Sequence, residues 1–131
     1  ETWDRMFRTN LLTAALASRA ALPHLLKQGG AIVNVGAAGA IDPAGGMAPY
    51  AASKAGVMAM TRSLADELRG QGVRVNAVLP TILDTPTNRR DMPDADPAGW
   101  VQPRDAASVI AFLLSDASVA VNGSGIMLAA S

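Results

Sequence analysis

Within residues 2–28 the stretch LLTAALASRAALPHLL carries apolar side chains nearly all round and leaves no broad polar stripe. That pattern predicts a long helix buried on more than one face, kinked at Pro23 and stopped by Gly29-Gly30. AIVNV at 31–35 is a short apolar run, the pattern of a parallel strand buried on both faces. A small-residue loop follows at 36–46, and then a second helix from about 49 to 69, closed by Gly70 and Gly72. VRVNAVLP at 73–80 reads as a second buried strand ended by proline. A loop rich in Pro, Asp, Arg and Thr covers 81–100. A third helix near 104–115 and a last strand near 125–129 complete the chain, which shows no repeat, low-complexity tract or linker.

Strand, helix and strand in alternation predict βαβ crossovers and a parallel sheet, an α/β doubly wound architecture in one domain spanning 1–131. In such sheets ligands lie outside the carboxyl ends of the strands. The loops at 36–46 and 80–86 leave those ends, and the second helix starts on the same edge. Its first turn reads YAASK, with the only tyrosine, Tyr50, one turn ahead of Lys54, one of two lysines in the chain. Residues at i and i+4 share a helix face, so a phenol and an ammonium meet at the mouth of the expected cleft.

Composition removes several kinds of chemistry. Eleven basic residues balance eleven acidic ones, which gives no electrostatic case for nucleic acid or an anionic membrane surface. Without cysteine there is no disulfide framework, thiol nucleophile or thiolate metal site. A single histidine, His24, argues against a histidine-built zinc site or a Ser-His-Asp triad. No apolar run approaches the ~18 residues that span a bilayer, and no signal peptide opens the chain. A cytoplasmic domain is the expectation. The chain opens at Glu1 rather than at methionine, as a processed or partial product would.

The order Asn10, AIVNV, YAASKAGV, VRVNAVLPTILDTP and DAASVIAFLLSDASVAVNGSGIML resembles the short-chain dehydrogenase/reductase family over nearly the whole chain. The resemblance implies an oxidoreductase that moves hydride with NAD or NADP. It assigns proton donation or acceptance to Tyr50, the nicotinamide ribose to Lys54, and support of a proton-feeding water chain to Asn10. Cofactor contacts fall on Tyr50, Lys54, Pro80, Leu83 and Thr85, with Thr81 where glycine is usual. The chemistry agrees, because hydride arriving at a carbonyl or imine carbon leaves charge that a proton must neutralise. An ammonium ~4 Å from the phenol would contribute roughly 4 kcal/mol at an effective dielectric of ~20, drawing its pKa towards neutrality.

Two departures shape the expectation further. The family's phosphate-binding glycine loop is absent, since GQG and GSG neither follow a strand nor open a helix. With βαβ units of roughly 30 residues or more, these 131 residues read as the C-terminal, catalytic half of a Rossmann-like sheet. The second departure is Ala37, which stands at the position of the family's active-site serine, thirteen before Tyr50. Together with LDTPTNRRDMPDAD and Trp100 it resembles dihydropteridine reductase-like members, implying a quinonoid dihydropteridine or similarly activated substrate. The alternatives are ordinary ketones, alcohols or 3-oxoacyl groups, and a non-catalytic remnant serving in assembly. The apolar, alanine-rich first and second helices predict a homodimer or homotetramer packed through them.

Other polar residues have plainer readings. His24 is expected to be packed or hydrogen-bonded on its helix, and Asn34 and Asn76 to bond neighbouring loops. Arg89 and Arg90 are either a clamp for an anion or a solvated pair, and the six methionines are core filler. Asp91, Asp94 and Asp96, with no histidine beside them, mark no metal site.

Overall fold

The computed structural model describes all 131 residues. Three parallel strands form one sheet: β1 (Gly30–Val35), β2 (Val73–Pro80) and β3 (Gly125–Leu128), in the order β1-β2-β3. Gly30 pairs with Val73 and Val35 with Val78; Ala77 pairs with Gly125 and Pro80 with Leu128. The first connection carries α3 (Ala48–Glu67). The second carries α4 (Pro86–Asp91) and α5 (Pro103–Leu114). Ahead of the sheet run α1 (Thr2–Met6), a π-helical turn (Phe7–Leu12) and α2 (Thr13–Gln28), so the expected long helix is present.

Alternation along β2 explains the layering. Val75, Ala77 and Leu79 point to the side of α3, where Val75 joins Ala65, Leu68 and Val73 in the core, and Leu22 and Leu25 of α2 pack on it. Val78 points the other way, into a cluster with Val101, Ala106, Leu113 and Leu128 beneath α5. Every residue of β2 except Arg74 is buried. Close approach shapes the crossing at the strand ends: a Cβ on Gly36 would lie 2.6 Å from Leu79 Cδ2.

Three expectations need correction. β1 is an edge strand and not a doubly buried one: only Asn34 within it is buried, and Val35 is 47% exposed. Its apolar run matches that of β2, but the strand has a hydrogen-bonding neighbour on one side only. The long helix, expected to bury more than one face, buries Ser18 alone, and Trp3, Leu12, Leu16 and Leu26 are each more than 40% exposed. Of the methionines, Met58 lies in the core, while Met47 and Met127 are 44% and 50% exposed. The chain therefore presents 7856 Å² of accessible surface. A closed monomer of its mass would show roughly 6,500 Å².

Buried polar groups are all satisfied. Asn76 behaves as expected, donating to the Val121 carbonyl and accepting from Ser124 N–H, both at 2.9 Å. Asn34 finds a helix instead of a loop: its Nδ2 donates to Thr61 Oγ1 of α3 at 3.0 Å. His24 is exposed on α2 and makes no side-chain hydrogen bond. No helix is long and apolar enough to cross a membrane.

Candidate active site at the carboxyl end of the sheet

Pro49 opens the first turn of α3, where a missing N–H costs nothing, and an alanine-rich run propagates the helix. This turn holds Tyr50 and Lys54. Lys54 Nζ donates to the carbonyl of Val35 at 3.1 Å, tying the helix to the carboxyl end of β1. The 37–41 turn, which leaves β1, lies beside it. A cleft of about 330 Å³ separates that turn from α3, with Ala37, Ile41, Lys54, Met58 and Leu79 among its walls. Tyr50 is half-buried and is not part of that wall. A larger cavity of about 680 Å³ lies around Gly29, Gly72 and Asp116, at the amino end of the sheet. Parallel sheets bind ligands at the other end, the end at which Tyr50 and Lys54 lie.

Burial pushes the Tyr50 phenol above its ordinary 10.0 and the Lys54 ammonium below its ordinary 10.5. This corrects the expectation that Lys54 would draw the phenol down towards neutrality. The ammonium is directed at the Val35 carbonyl, and desolvation dominates both groups. A phenol is protonated at neutral pH at its ordinary value, and the upward shift keeps Tyr50 so.

Asn10 lies in the π turn, and its Nδ2 donates to Ser53 Oγ at 3.0 Å, so the structure brings it to the Tyr50–Lys54 turn from 43 positions away. Pro80 ends β2, and Leu83 forms an isolated bridge with Val101. The Leu83 carbonyl accepts from Thr85 N–H at 2.9 Å and Asn88 Nδ2 at 2.8 Å, while its own N–H has no protein partner. Thr85 caps α4, its Oγ1 accepting from Asn88 N–H at 3.1 Å. Thr81 donates its hydroxyl to the Leu128 carbonyl at 3.0 Å, and Ala37 is buried.

Arg89 and Arg90 are both exposed, as a solvated pair would be, but Arg89 is not a free clamp. It grips Asp84 through two bonds of 2.6 and 2.9 Å, and Gln102 adds a third at 3.1 Å. These contacts, led by the Arg89 hydrogen bond, hold the Asp84 carboxyl down at about 2 and fix the start of the 81–100 segment. No group of three or more His, Asp or Glu side chains is placed to hold a metal ion.

Sequence reasoning missed two members of this constellation, Ser53 and the Val35 carbonyl. Ser53 had one signal, as a lone hydroxyl i+3 from Tyr50 in a run of alanines. The Val35 carbonyl had none, because a backbone acceptor leaves no mark on composition.

Comparison with known proteins places the same residues in context. A family model described as enoyl-(acyl carrier protein) reductase matches residues 1–129. The 4-formylbenzenesulfonate dehydrogenase of Comamonas testosteroni is 38% identical over 130 residues, covering 88% of this chain and 52% of that protein. The 3-oxoacyl-[acyl-carrier-protein] reductase of Thermotoga maritima is 38% identical, covering 94% of this chain and 54% of that protein. Among solved structures, the 3-ketoacyl-(acyl-carrier-protein) reductase of Brucella melitensis complexed with NADH superposes with a TM-score of 0.84 at 28% identity. That match covers 98% of this chain and 57% of the other. The chain spans about half the length of the relatives it matches.

Proposed function

Because this chain belongs to the short-chain dehydrogenase/reductase family, we propose that the protein carrying it is an NAD- or NADP-dependent oxidoreductase with Tyr50 as its proton donor. The observation that supports this best is the convergence of Tyr50, Lys54 and Asn10, from two separate helices, at the carboxyl end of the sheet. The relatives named above are a dehydrogenase and reductases, and one solved relative holds NADH.

The residues present fit the nicotinamide end of such a cofactor. Lys54 offers an ammonium at the end of β1, and Leu83 offers an unpartnered backbone N–H beyond Pro80 at the end of β2. Thr85 caps α4 beside it. No tight glycine turn leads from a strand straight into a helix for the phosphates: Gly70 and Gly72 lie ahead of β2, Gly123 and Gly125 lead into β3, and Gly36, Gly39, Gly45 and Gly46 are spread along the segment between β1 and α3, with a short 3-10 turn (Ala38–Ala40) among them. The cofactor, when bound, supplies the hydride. The chain's own part is to hold Tyr50 protonated in a half-buried turn and deliver its proton to the substrate oxygen or nitrogen as charge develops there.

For the substrate, we favour a quinonoid dihydropteridine or a similarly activated acceptor. Ala37 gives that atom no second donor, and Thr81 has its hydroxyl engaged elsewhere. A missing oxyanion donor costs ~10²–10³ in kcat, which an electron-demanding acceptor tolerates best. The reading in which the substrate is an ordinary ketone, alcohol or 3-oxoacyl group draws on the relatives' names. Steady-state assays of the full-length protein separate the two: efficient quinonoid reduction with poor ketone reduction is the expected result, and the reverse order overturns the substrate assignment. In the same assays Tyr50→Phe should remove turnover on either substrate without lowering Tm. Near-normal kcat in that variant would overturn the proton-transfer role.

A further inference from the structure

Ser53 sits between Tyr50 and Lys54 on α3 and is completely buried, at 0% exposure. Its hydroxyl donates to the Tyr50 carbonyl at 2.8 Å and accepts from Asn10 Nδ2 at 3.0 Å. A serine hydroxyl has a single proton, and here the Tyr50 carbonyl takes it. Only lone pairs remain for Asn10, so the asparagine must present its NH2 group and not its carbonyl. Nδ2 also reaches Met6 Sδ at 3.7 Å, one turn back on its own helix. With Nδ2 held on these two sides, the amide has one orientation, and Oδ1 is left without a protein partner.

A second contact registers the same two helices. Gly56, three residues after Ser53, lets Leu11 approach so closely that a Cβ there would lie 2.9 Å from Leu11 Cδ2. Asn10 and Leu11, adjacent in the π turn, are therefore both fixed against one face of α3. Single π turns inside longer helices concentrate at functional sites.

We infer that Ser53 is a positioning residue for proton transfer: its hydroxyl locks the Asn10 amide and holds the π turn in register with the Tyr50–Lys54 turn. This rests on the reading of Tyr50 as proton donor. Ser53 touches neither substrate nor cofactor and acts through Asn10. Its removal frees the amide to rotate, and small misplacements at a reacting centre can cost ~10²-fold in rate.

A double-mutant cycle in the full-length protein tests the inference. Ser53→Ala should lower kcat by ~10–100-fold, leave the KM for cofactor little changed and displace the alkaline limb of the kcat–pH profile. In an Asn10→Ala background it should cause no further loss, because the amide it orients is gone. Unchanged kcat and pH profile in Ser53→Ala, or losses that multiply in the double variant, would overturn the inference. Should Ser53→Ala fold poorly, Asn10→Asp tests the same link from its half-exposed end. A carboxylate cannot donate to Ser53 and would compete with the Tyr50 carbonyl for its proton, so the same loss of kcat is expected. Full kcat in Asn10→Asp would overturn the lock. An inactive Tyr50→Phe beside a fully active Ser53→Ala sinks this inference alone, whereas an active Tyr50→Phe sinks the function it rests on.

Discussion

Two asparagine–hydroxyl pairs lie along α3, two helical turns apart, and their bonding is the same. At the amino-terminal end Asn10 donates to Ser53 Oγ at 3.0 Å, and Ser53 donates to the Tyr50 carbonyl at 2.8 Å. Further along, Asn34 donates to Thr61 Oγ1 at 3.0 Å, and Thr61 donates to the Val57 carbonyl at 2.7 Å. Both hydroxyls are at 0% exposure. The asparagines differ. Asn34 is a buried strand residue, whereas Asn10 is half-exposed in a π turn beside two groups whose pKa values burial displaces. One bonding pattern thus serves to hold a strand under a helix at one end, and at the other to aim a side chain beside Tyr50 and Lys54.

The sharpest way to test that division is to remove the charge at the amino-terminal end. Lys54→Ala in the full-length protein should raise the KM for the nicotinamide cofactor by ~10–100-fold, as expected for loss of a hydrogen bond to a charged group. Tm should hardly move, since its bond to Val35 is exposed. A large fall in Tm with unchanged cofactor KM would make Lys54 a structural tie and erase the contrast. Thr61→Val addresses the other end with nearly constant volume. It leaves the Asn34 amide buried without an acceptor, at a cost of roughly 1–3 kcal/mol of stability. Activity per folded molecule should stay at the level of the parent, as read by chemical denaturation beside kcat. Lost activity with retained stability would put the Asn34 pair into the site.

The smallest expected effect concerns alkaline stability. Tyr50 has a folded pKa above its unfolded 10.0, so its contribution is fully present below pH 10.0 and is lost as pH rises through the folded value. Lys54 acts oppositely: its folded pKa lies below 10.5, and the penalty for charging it is relieved as pH rises through that lowered value. Tyr50→Phe should therefore lose less Tm than the parent above pH 10.0. Parallel losses in the two proteins would mean that the phenol is as well solvated folded as unfolded.

The element order and the placement of Tyr50 and Lys54 at one sheet edge were legible from apolar runs, glycine stops and helix spacing. β2 was legible for the same reason, as an apolar run buried on both faces. β1 was misread because an apolar run says nothing about how many neighbours a strand has. The π turn was invisible: residues 7–12 contain neither glycine nor proline, and one widened turn leaves hydrophobic spacing almost unchanged. The Asn10–Ser53 link spans 43 positions, beyond any local pattern. The direction of Lys54 was misjudged because spacing gives a shared face but not the acceptor its ammonium finds there.

The unshared side of β1 has a consequence for handling these residues in the laboratory. From Gly30 to Val35 the strand pairs with β2 alone, leaving its outer backbone N–H and C=O groups without a strand partner, the Val35 carbonyl being held by Lys54. Such a row is a template for whatever extended chain arrives first, including a second copy of itself. Prepared as an isolated 131-residue piece, the protein should therefore pass from clear solution to β-rich aggregates as concentration rises. A charge placed at Val35, already 47% exposed, is the substitution that should delay that transition most.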